Sequence, residues 1–289
     1  MKTILVLTDF SERAECATEL ALKLAEKTNS DILLYNAFPV SELTPVMPTI
    51  YPYYENLDEF KIENLNRLKE FGRTATEKVY GNSEIWETPQ IACAQEIGTI
   101  GQNIKTLLSN RTDIWLIVMG DKNEDESNFN RFLFGSDTGD IIKKSTLPVL
   151  LVPTKSSKKS IESIVFATDL EDGSHKAHTT LTYLARIFDA KVVVLYVSDH
   201  RLTLAEKLKN QEIFNKMTLK SNYSNISFEN VVGYDIGQAL VKYVEKQNID
   251  LLAMIHRKHS FFERVIHSSN TIQMTDYHNI PLLVFPADT

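Results

Sequence analysis

The chain has 289 residues, 43% of them hydrophobic, with 31 basic against 38 acidic side chains and a net charge of −7. That length suits two compact domains of roughly 130 to 160 residues, each able to bury its own core. The acidic balance excludes a general nucleic-acid binder, which would need clustered Lys and Arg.

Cys16 and Cys93 are the only cysteines, too few for a disulfide framework or a metal finger, so a reducing cytoplasm is expected. Met1-Lys2 runs straight into an apolar strand rather than a signal peptide. No apolar run approaches the roughly 18 residues of a membrane span, so a soluble protein is expected.

In chain order, Thr3 to Leu7 is a short β-rich run, followed by Ala14, Ala17, Ala21 and Leu24 at helical spacing. Asp9 with Glu12 three residues on reads as a capping box, which places Asp9 between strand 1 and helix 1. Asp31 to Ala37 reads as a buried strand 2. A helix is expected over about Leu57 to Tyr80 and a third strand near Glu84 to Glu87. Ile100 to Leu108 gives helix 3 and Trp115 to Met119 strand 4. A further helix starts near Gly139, and a Pro-containing apolar run at Leu147 to Pro153 gives strand 5. A polar linker at Thr154 to Ser160 follows.

The pattern then repeats: Ile161 to Ala167, a helix through Ala177, Leu181, Leu184 and Phe188, Ala190 to Val197, a helix at about Leu204 to Leu219, Ile226 to Val232, Ile236 to Gln247, Leu251 to Ile255 and a last apolar run. Residue matches carry the repeat. Ile4-Leu5-Val6-Leu7-Thr8-Asp9-Phe10 returns as Ile164-Val165-Phe166-Ala167-Thr168-Asp169-Leu170, 160 positions on. Leu34-Tyr35 returns as Leu195-Tyr196 at an offset of 161, Ile100-Gly101-Gln102 as Ile236-Gly237-Gln238 at 136, and the strand 5 run at 133. Order is kept while the offset shrinks, so the first copy carries an insertion of about 25 residues between Asn36 and Ile100. Two homologous domains are expected, 1–154 and 160–289. Near-continuous apolar strands separated by helices imply an α/β fold, an open parallel sheet with helices on both faces.

In such a sheet ligands bind beyond the carboxyl ends of the strands. There the first copy runs from Met119-Gly120 through a polar loop to Gly135-Ser136-Asp137-Thr138 and a helix. Glycine and hydroxyls ahead of a helix let N–H and O–H groups point at an anion. The same residues also serve simply as a cap.

The succession Val6-Leu7-Thr8-Asp9-Phe10-Ser11, Leu33-Leu34-Tyr35-Asn36, Leu116-Ile117-Val118-Met119-Gly120, Phe132-Leu133-Phe134-Gly135-Ser136 and Leu147 to Pro153 resembles the universal stress protein family, as a tandem pair covering essentially the whole chain. The resemblance implies two five-stranded parallel sheets of strand order 3-2-1-4-5, paired through strand 5 within one chain, with further association into a homodimer left open. ATP-binding members carry Gly-x-x-Gly, nine residues, then Gly-Ser/Thr. Carried over, Asp9 meets the adenine or ribose side, Asn36 contributes backbone contacts, and Gly120, Gly135, Ser136 and Thr138 hold ribose and phosphates. The second glycine position is Asn123, and the spacer is two residues longer. The loop carries Asp121, Glu124, Asp125 and Glu126 against Lys122. Facing a triphosphate, these carboxylates would repel it or else recruit Mg²⁺ beside it, but they are read first as a solvated acidic loop.

The second copy departs further. Ile255 falls on Gly120, Lys258 on the second glycine position and Ser268-Ser269-Asn270-Thr271 on Gly135 to Thr138, so family-type ATP binding is not expected there. All seven histidines lie in this half: His175, His178, His200, His256, His259, His267 and His278. They are read as scattered and solvated rather than as a zinc or pH-responsive cluster. The aromatic run Pro48 to Tyr54 reads as a lead-in to helix 2 covering the sheet.

Two functions remain: a nucleotide-binding stress-response module with one ATP site in the first domain, and a ligand-free scaffold of the same fold. No Ser-His-Asp set, carboxylate pair or Walker-type lysine is placed for turnover, so an enzyme is not expected beyond slow ATP hydrolysis.

Overall fold

The computed structural model describes residues 2–38, 57–81, 88–120, 136–154, 160–170, 175–219, 222–256 and 280–286. The insertion's aromatic run, the acidic loop with Asn123 and Gly135, and His259, His267 and His278 lie outside them. The chain divides into two compact units, Met1–Asp121 and Lys122–Thr289.

The first unit contains β1 (Lys2–Leu7), α1 (Glu12–Thr28), β2 (Ser30–Phe38), α2 (Leu57–Tyr80), β3 (Ile91–Ile97), α3 (Ile100–Asn110) and β4 (Ile114–Gly120). Its sheet is parallel, in the order β3-β2-β1-β4. Ile4, Leu5 and Val6 of β1 are fully buried, as a central strand covered on both faces must be. Alternation along β2 sends Leu34 and Asn36 toward α2, where Leu34 lies 3.5 Å from the position of a Cβ on Gly72. Tyr35 faces the other way, toward Asn103 of α3.

The second unit contains α4 (Ser136–Lys144), β5 (Val149–Val152), β6 (Ser163–Ala167), α5 (His175–Phe188), β7 (Lys191–Ser198), α6 (Leu204–Leu219), β8 (Ile226–Val232), α7 (Ile236–Gln247), β9 (Leu251–His256) and β10 (Leu282–Pro286). The run β10-β9-β6-β7-β8 is the expected 5-4-1-2-3 order in full, all parallel. Phe228 stacks on Phe214 of α6 while its neighbour Glu229 accepts from Tyr243 of α7, so helices cover both faces here too. Phe166 of β6 meets Phe285 of β10 edge to face at 6.3 Å in the core. Each such buried side chain contributes about 1.5–3 kcal/mol.

β5, which closes the first copy in sequence, pairs antiparallel with β10, Leu150 opposite Leu283. Strand 5 therefore meets strand 5, and the division of contacts falls ahead of α4 rather than in the 154–160 linker.

Four expectations change. The third strand beside β2 is Ile91–Ile97, where Ile91 and Cys93 stand opposite Ile32 and Leu34, while the expected Glu84 to Glu87 lie outside the described residues. Helix α4 begins at Ser136, ahead of Gly139. The N-cap of α1 is Ser11, whose Oγ accepts from the Ala14 amide, so Asp9 stands two residues before the cap. The Leu-Tyr match at offset 161 is one residue out: Thr8 N–H bonds to the carbonyl of Tyr35, and Thr168 N–H to that of Leu195. Tyr196 consequently occupies the place of Asn36, and a shift of one flips the face a side chain takes. Among the described residues no helix is long and apolar enough to cross a membrane.

Candidate functional site

At the carboxyl end of β1 the chain turns sharply into α1. Phe10 sits in the left-handed region, φ 63°, a conformation rare for a bulky residue and costing about 1 kcal/mol. Local bonds hold it there. Thr8 Oγ1 accepts from the Phe10 amide at 3.0 Å, and Asp9 Oδ1 accepts from the Ser11 amide at 3.1 Å and from the Ser11 hydroxyl. The Phe10 ring meets Phe71 edge to face at 5.7 Å, and the Arg67 guanidinium lies 4.1 Å from its centroid. Thr168-Asp169-Leu170 repeats the turn in the second unit, with Leu170 at φ 60° and its amide on Thr168 Oγ1.

Of the residues the resemblance assigns, Asp9 is exposed at this turn. Asn36 is buried, and its side chain is engaged inside the protein: Nδ2 donates to the Thr8 carbonyl at 2.8 Å, and Oδ1 accepts from Asn64 of α2 at 3.0 Å. Asn64 Nδ2 also donates to Gln95 of β3 at 2.7 Å, and Gln95 Nε2 to the Lys61 carbonyl at 2.6 Å. Neither Asn64, on a helix, nor Gln95, on a half-buried strand, stands out in sequence, because a polar residue in such a place is ordinarily solvated.

Gly120 ends β4 with a packing role. A Cβ there would lie 2.6 Å from the Arg13 carbonyl carbon and 2.8 Å from the Ala14 nitrogen, so glycine lets the strand end pass against the first turn of α1. In the second unit Leu251, Leu252, Ala253 and Met254 pair with Ile164 to Ala167 as Leu116 to Met119 pair with Ile4 to Leu7, which brings Ile255 into the place of Gly120.

In the second unit, α4 opens at Ser136, and Thr138 in its first turn is fully buried, its Oγ1 without a hydrogen-bond partner among the described residues. A buried hydroxyl left unbonded costs about 1–3 kcal/mol, and a helix amino terminus favours anions.

Tyr35 is pushed up to about 12, chiefly by burial and then by the Glu96 carboxylate. The thiols of Cys16 and Cys93 are both raised by burial, which makes them poor nucleophiles. Among the described histidines, His178 is buried at α5, while His200 is exposed between Asp199 and Glu206. Among the described residues no three His, Cys, Asp or Glu side chains come together as a metal-ligand set.

The sequence profile of the universal stress protein family matches residues 1–153 and again 160–286. A curated universal stress protein of Methanocaldococcus jannaschii is 24% identical over 173 residues, covering 54% of this chain and 97% of that protein. The crystal structure of a universal stress protein from Archaeoglobus fulgidus superimposes with a TM-score of 0.68 at 16% identity, over 99% of this chain and 96% of that one. A putative universal stress protein from Pseudomonas aeruginosa gives a TM-score of 0.60 at 14% identity, over 100% and 94% of the two chains. With its profile matched twice, and with the strand order and strand 5 pairing described above, the chain belongs to the universal stress protein family as a tandem member.

Proposed function

We propose that this protein is a nucleotide-binding module of the stress response, taking ATP through its amino-terminal repeat, residues 1–154, while the repeat at 160–289 takes none. The observation that carries the reading is Thr138. Its buried hydroxyl, in the first turn of a nine-residue helix, has a proton to donate and no acceptor among the described residues. A phosphate oxygen is an acceptor of the chemistry that position lacks. In the same reading Asp9 and the Asn36 backbone serve the base or ribose, and Gly120, Asn123, Gly135 and Ser136 go with Thr138 to the ribose and phosphates, with Mg²⁺ accompanying the phosphates. Binding, rather than turnover, is the activity: the Asp9 carboxylate is already engaged by Ser11.

Isothermal titration of the full chain with ATP and Mg²⁺ tests this. Binding that weakens about tenfold in T138V, the loss of one hydrogen bond to a charged acceptor, supports the reading. No heat at millimolar ATP overturns it.

The ligand-free scaffold is favoured by a different observation. Gly120 is accounted for by the backbone of Arg13, and the Asn36 side chain by Thr8 and Asn64, so neither residue needs a ligand to explain it. Full-affinity ATP binding by T138V would leave the nucleotide reading without its carrier. Absent ATP binding would leave the scaffold.

A further inference from the structure

Among the described residues, the amide chain at the edge of the first unit's sheet has no counterpart of the same design in the second unit. Tyr196 and Asn230 pair across β7 and β8 where Asn36 and Gln95 pair across β2 and β3. Asn230 Nδ2 donates to the Tyr196 carbonyl and to Ser198 Oγ, each at 3.1 Å, so that amide bonds along the neighbouring strand rather than reaching toward a helix. In the first unit the corresponding route leaves the sheet. It runs from the Lys61 carbonyl of α2 through Gln95 and Asn64 to Asn36, and from there to the Thr8 carbonyl, the residue before Asp9.

Buried amides are costly unless every group is satisfied, and an apolar solution to the same packing is generally available. Here Asn64 uses both of its amide protons, one on Asn36 and one on Gln95. The same helix grips the same turn a second time, through Arg67 and Phe71 on the Phe10 ring. Asn64, Arg67 and Phe71 follow at three- and four-residue spacing, and so lie on one face of α2. Two independent ties thus run from α2 to a turn whose central residue holds a left-handed conformation that an L side chain resists. The other unit's matching turn carries the same local bond, the Leu170 amide on Thr168 Oγ1.

We propose that Asn64 and Gln95 are positioning residues: acting through Asn36, they fix the Thr8-Asp9-Phe10 turn, and so make the placement of Asp9 depend on the seating of α2. The proposal deepens the nucleotide reading and rests on it for the identity of the ligand that Asp9 faces, but the coupling of helix to turn stands or falls by itself. Neither residue would touch the nucleotide. Loss of the coupling would loosen the turn before any ligand arrives.

Amide hydrogen exchange on the full-length, ligand-free protein tests this, comparing the unaltered chain with N64L and, as a second variant of conserved volume, Q95M. Exchange at the Phe10 and Ser11 amides is expected to rise about tenfold, while Leu170 and the central amides of α1 stay within about twofold. A merely structural role would instead raise exchange across the whole unit together. That outcome, or an unchanged Phe10 and Ser11 in the variants that fold, overturns the proposal. Titration with ATP and Mg²⁺ is the separate arm. Affinity about fivefold weaker in the loosened variants supports positioning of a nucleotide contact. Loosening of the turn in a protein that gives no ATP heat at all upholds the coupling and removes the nucleotide reading alone.

Discussion

Gly120 and Arg13 are separated by less than a side chain: a Cβ on the glycine would stand 2.6 Å from the carbonyl carbon of Arg13 and 2.7 Å from its oxygen. Main chain cannot swing aside as a flexible side chain can, so the contact has to be relieved by moving β4 or α1. Gly120→Ala is therefore expected to destabilise the protein by about 1–3 kcal/mol. Urea unfolding would measure it, and a variant as stable as the parent would show that the two elements are free to separate.

Two helices end on asparagine in the left-handed region, Asn29 at φ 48° after α1 and Asn248 at φ 51° after α7, each with its backbone N–H on carbonyls of the last turn. Replacing either by alanine keeps the backbone bonds and the β-carbon but removes the short polar side chain whose local hydrogen bonding lets asparagine tolerate that conformation, at about 1 kcal/mol. Glycine at the same positions should leave stability within about 0.5 kcal/mol of the parent. Thermal unfolding of the four single variants would separate a conformational cost from a side-chain contact, since the contact would be lost in both substitutions.

Thr138 makes opposite predictions for stability and for binding. In the ligand-free chain its hydroxyl is buried and without a hydrogen-bond partner among the described residues, so T138V, of nearly the same shape, should be neutral or stabilising by up to about 1 kcal/mol. A loss of stability in denaturant would mean that the hydroxyl has a partner in the protein after all.

His200 sits between two carboxylates, Nδ1 2.7 Å from Asp199 and Nε2 3.2 Å from Glu206. The Asp199 bond first, and then that of Glu206, raise its pKa above the ordinary histidine value. Because the folded value is the higher one, the stabilisation is complete below about pH 6.5 and is lost as pH rises through the folded value. Glu206 is held down to about 2, first by the Thr203 amide, then by the Thr203 hydroxyl and by His200, so its contribution is present at neutral pH and disappears in acid. Both groups are solvent exposed, and screening keeps the effect small. An NMR titration should place the His200 midpoint above 6.5, and E206Q should lower it. An unchanged midpoint in E206Q would leave Asp199 as the only influence.

Much of the architecture was legible in the residues because the physical signals were local and strong. Apolar runs such as Ile4 to Leu7 and Leu116 to Met119 can be nothing but buried strands, and α2, α6 and α7 begin and end where helical periodicity does. The third strand escaped because Ile91–Ile97 is only half buried, with Gln95 and Glu96 breaking its pattern. Strand pairing, not composition, selects that segment. The cap of α1 was misplaced for a related reason: Asp9 and Ser11 are both good capping residues, and the choice between them follows from the left-handed turn at Phe10, which no propensity announces.

Sequence by itself determined that a single unit had been written twice, which strands lie at each centre, and that Gly120 has given way to Ile255 in the second copy, since these follow from hydrophobic periodicity and residue identity. Tertiary structure alone decided that Tyr196 and not Val197 stands where Asn36 does, and that Asn36 turns its amide inward to Thr8 and Asn64. Register and side-chain partnership depend on residues tens of positions apart meeting across a sheet, and a one-residue shift in that meeting reverses which face every side chain takes.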